Sequence, residues 1–435
     1  MFNLFFYKMS LILCVSALDV RFFGLNNKKG RDLLMNKLEV LKEMYPEDVY
    51  GYSSALTEKE VAILQNLRHE LETRVRPILI DSYENAELPR EEILGAFAAA
   101  RIMDHPDLFE GREDKWKARE IYNTFLYLEL ARFDPSVATF YTVHGGLGYN
   151  TILIGGSEEQ KEKYATKVRT MTGQTCFALT EPDHGSDIAG GLATTAEFKN
   201  GEWVLNGEKR WIGGAKTADF IPVFARDVAD NKIKCFMVAK GSEGLSVENV
   251  EHKIALRIVN NGHITLKDVK VKDEDRLVNI NGFGDVAKIF VFTRVDVAHI
   301  AMGTAAGAFN AALRLTTDRE QFERKIASFQ LVQEKLATMQ ANVAACIAYS
   351  ARVAELQEEG TAKMFNSSLA KLHNAKRMRE TVALAREVCG GNGITYETEV
   401  ARFFTDAEAI YTYEGTHEVN SLIVGRELTG IGAFL

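Results

Sequence analysis

The chain has 435 residues, enough for two or three domains and beyond the length at which a single core stops growing. With 46% apolar, 26% charged and 10% aromatic residues it has the composition of a globular protein, not of a disordered or fibrous one. A net charge of -8, from 52 basic and 60 acidic residues with no Lys/Arg-rich block, argues against nucleic acid as a partner.

The first 24 residues are apolar but interrupted by Lys8 and Asp19. They fall short of a span, which needs about 20 uninterrupted apolar residues, and lack the basic start and small-residue cleavage site of a signal peptide. Residues 1–34 are therefore expected to be an extension outside the fold, with Met35 as a candidate start and no membrane involved. Thr57-Glu-Lys-Glu60 reads as a capping box, followed by Leu64, Leu67, Leu71 and Val75 at helical spacing until Pro77 stops the pattern. Further helical stretches read from Arg90 to Met103, Lys117 to Phe133 and Glu158 to Thr170. An all-α domain over 35–173 follows.

From about Thr175 the period changes to two, with turn pairs at Asn200-Gly201, Asn206-Gly207 and Asn261-Gly262. Strands are expected over 193–198, 202–212, 219–226, 233–239 and 263–271, giving a middle β domain at 174–284. Helical periodicity returns from Val286. The spacing of Val332, Leu336, Met339, Val343 and Cys346 predicts a stripe suited to a bundle of long helices over 285–435. The five cysteines, Cys14, Cys176, Cys235, Cys346 and Cys389, are odd in number and lack any C-x-x-C spacing, which fits a reducing, cytoplasmic setting. The chain closes on Ala433-Phe434-Leu435, which is no peroxisomal tripeptide.

Near the end, Tyr411-Thr-Tyr-Glu-Gly-Thr416 places Glu414 among apolar and aromatic residues. Such a carboxylate has little water to hold its charge, and its pKa is expected to climb from about 4.3 towards the ~6–7 that suits a general base. A second reading is a Glu that caps or pairs at the start of a helix over His417–Leu428. The run Phe177-Ala-Leu179-Thr180-Glu-Pro-Asp-His-Gly-Ser186-Asp187 is a strand entering a turn that offers N–H groups to a phosphate or ring edge, or is an ordinary turn. His184, Ser186 and Asp187 are sequence neighbours, a poor geometry for a hydrolase triad, and no G-x-S-x-G is present. Trp211, in Arg210-Trp-Ile212-Gly213, packs either on a flat cofactor or in the core. Gly390-Gly391-Asn-Gly393 lacks the features of a dinucleotide fingerprint. No H-E-x-x-H, EF-hand or P-loop motif occurs, so no metal is expected.

The order and spacing of these motifs, T-E-P-x-x-G-S-D, W-I, R-x-x-F with a following Gln, G-G-N-G and Y-E-G-T, resemble the acyl-CoA dehydrogenase family over roughly residues 45–434. R-W-I-G and I-Y-T-Y-E-G-T look closest to its glutaryl-CoA dehydrogenase and short-chain acyl-CoA oxidase branch. The resemblance implies an α–β–α architecture ending in a four-helix bundle, FAD as cofactor and an acyl-CoA substrate oxidised to trans-2-enoyl-CoA, as in β-oxidation. It makes Glu414 the base that takes the α-proton while the β-hydride passes to flavin N5, with the Glu414 N–H supporting the developing enolate.

By the same resemblance Phe177, Leu179, Thr180, Trp211, Ile212 and Gly213 meet the flavin, and Ser186 meets the pyrophosphate or CoA. Arg294, Tyr413 and Gly415 lie against the substrate. Arg319, Phe322, Gln330, Glu387, Gly390 and Gly391 reach the FAD of a neighbouring subunit in a homotetramer, while Thr416 and Glu418 lie at the FAD phosphates and adenosine. An electron-transfer flavoprotein is the implied acceptor. Departures are Gly213 for the usual Thr or Ser beside N5, Glu323 for the usual Gly after Phe322, and Ala138 where a glutaryl-CoA dehydrogenase holds an Arg. A plain acyl chain is therefore expected. An oxidase returning electrons to oxygen is the alternative enzyme, and an idle flavin- or CoA-binding scaffold the alternative of another class.

Overall fold

The computed structural model describes residues 28–433, with side chains described from Met35 onward. Most of the expected extension lies outside this range, but its last residues, 28–34, already belong to helix α1 (Lys28–Met44). Helix α2 (Glu58–Glu70) starts as the capping box predicts: Glu60 N–H donates to Thr57 Oγ1 at 3.1 Å and Thr57 N–H to Glu60 Oε2 at 2.8 Å. Pro77 does not end the helical path. The backbone widens over 71–75, tightens over 76–78 with proline in the first turn, and runs on to Asn85. Proline is tolerated there because an N–H at the start of a turn has no partner to lose.

Helices α3 (Arg90–Ala100) and α4 (Glu120–Phe133) follow. Next come α5 (Pro135–Tyr141), wide turns over 142–148 and α6 (Tyr149–Gly155), for which no helix is expected from the apolar pattern. The local signal is nonetheless present: Asp134 caps α5 by accepting from Ser136 N–H at 2.9 Å, and Pro135 opens the helix.

The middle domain is a six-stranded sheet, β1 (Thr195–Lys199), β2 (Glu202–Gly213), β3 (Phe220–Asp227), β4 (Ile233–Ala239), β5 (Leu245–Asn249) and β6 (Asn261–Lys272), in the order β4-β3-β1-β2-β6-β5. All five expected strands appear within two residues of their bounds; the edge strand β5 is additional. Asn200 and Gly201, both left-handed at φ 54° and 87°, close the β1–β2 hairpin as expected. The other two turn pairs do not turn. Asn206-Gly207 is a bulge inside β2, where a Cβ on Gly207 would lie 2.7 Å from the Thr194 Cα, and Asn261-Gly262 opens β6.

The C-terminal bundle comprises α7 (Phe283–Asp318), α8 (Gln330–Glu358), α9 (Met364–Val388) and α10 (Val400–Thr412), followed by α11 (His417–Thr429). A small hairpin, β7 (Glu320–Gln321) and β8 (Arg324–Lys325), joins α7 to α8. Met339, Val343 and Cys346 of the expected stripe are fully buried, while Val332 and Leu336 are half-buried. One apolar core is shared between the N-terminal helices and the bundle; the sheet has its own, and a third cluster joins sheet to helices. The site lies where these cores meet.

Candidate active site

Helix α10 ends with Tyr413 N–H donating to Ala409 O at 2.9 Å, and α11 begins with Thr416, whose Oγ1 accepts from Val419 N–H at 3.2 Å. Glu414 and Gly415 between them are left-handed, at φ 56° and 83°. Thr416, not Glu414, is thus the cap of α11, and among the described residues no basic group lies within ion-pair distance of Glu414. The capping or pairing alternative falls. A glutamate held left-handed stores strain of about 1–3 kcal/mol, a feature that concentrates at functional sites.

The Glu414 carboxylate accepts from Thr293 Oγ1 of α7 at 3.4 Å. Beside it, buried Arg294 donates to Ser368 Oγ and Met364 Sδ of α9, and its Nε has no partner among the described residues. Lys371 of α9, fully buried, donates to Tyr411 O at 2.9 Å and Gly415 O at 2.7 Å, and Asn420 Nδ2 also donates to Gly415 O, at 2.8 Å. Burial pushes the Glu414 carboxyl above its ordinary pKa, in the expected direction; Arg294, Lys371 and the Thr293 hydroxyl pull it partly back. Burial also drives Lys371 down to about 7, against the raising effect of Glu414.

Two lines of contact tie this loop to the sheet. Tyr413 OH shares a hydrogen bond of 3.1 Å with Thr139 of α5; one turn further, Val143 faces Gly213, whose Cβ, if present, would sit 3.0 Å from Val143 Cγ1. Val143 thus occupies the space that a Thr or Ser side chain at 213 would need. On the other line the Arg294 guanidinium lies 5.4 Å over the Phe290 ring, and Phe290 meets Phe177 edge-on at 6.2 Å. Phe177 leads to Thr180, whose carbonyl accepts from Arg210 N–H at 2.9 Å and so fixes Trp211 beside it.

Trp211 is left-handed, in the irregular stretch of β2 between Lys209 and Ile212, and stands 53% exposed, whereas Trp116 and Trp203 are buried. The core alternative for this indole falls. Leu179 and Ile212 bury their side chains, so only their main chains can meet a ligand. The turn carrying exposed Ser186 is anchored by an ion pair that the motifs do not announce. Buried Lys209 donates to Glu181 at 2.7 Å and to Leu179 O, while Glu181 accepts from Ala193 and Thr194 N–H. His184 and Asp187 bond each other at 2.8 Å, without Ser186. A half-exposed indole beside half-buried Phe177 and Thr180 fits a flat ring with a polar rim.

The remaining expected contacts stand elsewhere. Arg319, Phe322, Gln330, Glu387, Gly390 and Gly391 are all exposed, Phe322 at 87%, around the hairpin and the adjoining end of the bundle. Lys335 of α8 pairs there with Glu387 at 3.5 Å. Among the described residues no hydrogen bond or ion pair links this group to Glu414. Thr416 and Glu418 lie at the start of α11, Glu418 exposed. Thr293, Lys371 and Val143 were not legible as site residues, since none belongs to a motif.

The family models for the N-terminal, middle and C-terminal domains of acyl-CoA dehydrogenase match residues 57–172, 176–269 and 281–429. The chain is 33% identical over 300 residues to caffeyl-CoA reductase-Etf complex subunit CarC of Acetobacterium woodii, covering 68% of this chain and 79% of that protein. It is 32% identical over 382 residues to 3-(aryl)acrylate reductase of Clostridium sporogenes, covering 86% and 99%. A glutaryl-CoA dehydrogenase from Mycobacterium smegmatis in complex with FADH2 superposes with a TM-score of 0.83 at 27% identity, covering 90% of this chain and 99% of that one. With all three domain models matched in order, the chain belongs to the acyl-CoA dehydrogenase family, FAD-dependent oxidoreductases acting on a CH–CH pair.

Proposed function

We propose that the protein removes the α-proton and β-hydride of an acyl-CoA thioester to give the trans-2-enoyl-CoA, with Glu414 as the base. The observation that carries this reading is a half-buried glutamate, outside ion-pair distance of every described cation, on a left-handed loop joined through Phe290 and Phe177 to the exposed face of Trp211. When bound, the isoalloxazine supplies the acceptor for the hydride and its two electrons. Phe177, Thr180, Trp211 and the main chain of Ile212 and Gly213 would hold it. Glu414 takes the proton at its carboxylate, and its own N–H, which no backbone acceptor within the described chain engages, is free to face the developing enolate oxygen.

Ala138 is fully buried and brings no cation for a distal carboxylate, which supports a plain acyl chain. The exposed residues around Phe322 support a homotetramer in which that end completes a neighbour's flavin site. The relative named for an Etf complex supports an electron-transfer flavoprotein as partner, and four buried free cysteines support a reducing, cytoplasmic setting.

Two relatives are named as reductases, so the same site run in reverse, with protonated Glu414 returning the α-proton to an enoyl-CoA, is the second reading. Anaerobic bleaching by acyl-CoA, followed by reoxidation with enoyl-CoA or air, separates dehydrogenase, reductase and oxidase; rapid peroxide formation in air marks an oxidase. Glu414→Gln is expected to stay yellow and bind acyl-CoA while bleaching at least ~100-fold more slowly, the usual scale of general-base help. Retained turnover removes Glu414 from the role, and a colourless protein that cannot take up FAD leaves only a scaffold.

A further inference from the structure

Lys371 is a buried cation whose ammonium meets two carbonyls, Tyr411 O and Gly415 O, one on each side of Glu414. We propose that Lys371 is a positioning residue for the base: its ammonium clamps the two carbonyls that bracket Glu414 and so sets a positive charge beside the carboxylate. Scaffolding alone does not call for a lysine here. Asn420 already holds the Gly415 carbonyl with a neutral amide, and a buried ammonium is among the costlier donors a fold can use.

The charged and titratable groups around Lys371 fit the second role. Glu414 faces it from the loop, Arg294 from α7, and Glu418 from the first turn of α11; of these, Glu414 acts on it most. His417, stacked 4.9 Å from the Tyr411 ring, completes the surroundings and feels the same ammonium. Arg294 and Lys371 are the two cations that oppose the burial of Glu414. Removing one is expected to raise the Glu414 pKa, so that the base stays protonated to higher pH.

The inference rests on Glu414 being the base, and its test reads the carboxyl directly as well as through turnover. The flavin-loaded wild-type protein is compared with Lys371→Gln, Lys371→Arg and Asn420→Ala. FAD content, thermal midpoint, the pH dependence of anaerobic bleaching and the infrared carbonyl signal of protonated Glu414, assigned by its loss in Glu414→Gln, are measured for each. Lys371→Gln is expected to move both the acid limb of bleaching and the infrared titration upward by about one pH unit, a tenfold change in ionisation. Lys371→Arg keeps the wild-type limb, and Asn420→Ala slows bleaching without moving it.

A Lys371→Gln protein that holds FAD and titrates as wild type overturns the proposal, as does an equal shift in Asn420→Ala. Should Lys371→Gln not fold, Lys371→Arg decides: a limb displaced despite the retained charge means that geometry alone governs Glu414. The infrared titration can fail while Glu414→Gln still abolishes bleaching, which separates this inference from the assignment of the base.

Discussion

At the scale of a single residue, Glu414 illustrates how a backbone setting and a side-chain setting cooperate. Its left-handed φ of 56° turns it out of the register of both flanking helices, so it neither continues α10 nor caps α11. Burial then raises its pKa above the ordinary 4.5. A base acts only when deprotonated, so a raised pKa displaces the acid limb of the reaction to higher pH. Flavin bleaching should therefore rise with pH along a limb lying above that of a free glutamate, and a limb at the ordinary carboxylate value would mean that Glu414 is solvated in the working enzyme. The sequence announced this residue because an acid directly after Tyr411-Thr-Tyr413 and before a glycine is unusual in itself. It could not announce Thr293 or Lys371, since ordinary helix positions become site residues only through packing of α7 and α9 against the loop.

At the scale of the element, the β7–β8 hairpin and the turn after Thr180 make opposite demands. Phe322 and Glu323 connect β7 to β8 with both residues left-handed, at φ 54° and 62°. A glycine at the second position would relieve part of this strain, so Glu323→Gly should stabilise the fold by about 0.5–1 kcal/mol, read as a higher denaturation midpoint with unchanged FAD content. The Thr180 turn instead depends on the buried Lys209–Glu181 pair. Lys209→Met leaves Glu181 buried without its cation, and should cost about 3–5 kcal/mol together with weaker flavin retention, seen as loss of yellow colour on gel filtration. Strand positions were legible because alternation marks a half-buried sheet, yet the Asn-Gly pairs at 206 and 261 misled, as the same dipeptide serves a hairpin, a bulge or a strand end. Helices α5 and α6 escaped the apolar pattern because every residue of α5 is buried and none of α6 is exposed, which blurs the amphipathic period.

At the scale of the whole molecule, the expected FAD contacts divide between the residues around Trp211 and the exposed group around Phe322 at the β7–β8 hairpin. If the second group serves a neighbour, flavin retention depends on assembly. Arg319→Glu together with Phe322→Ala is then expected to shift sedimentation towards smaller species and release FAD on dilution, while the monomer keeps its helical signal; full FAD retention in a dissociated protein would show that each chain holds its flavin unaided. The arrangement has a further consequence for how the chain acquires its structure. The N-terminal helices share their core with α7 and its bundle, although the entire sheet intervenes along the chain. Apolar faces of α4 made early must wait, uncovered, for partners synthesised some hundred and fifty residues later. Isolated N-terminal helices should therefore aggregate instead of forming a domain, and maturation in the cell should lean on chaperones until α7 has docked.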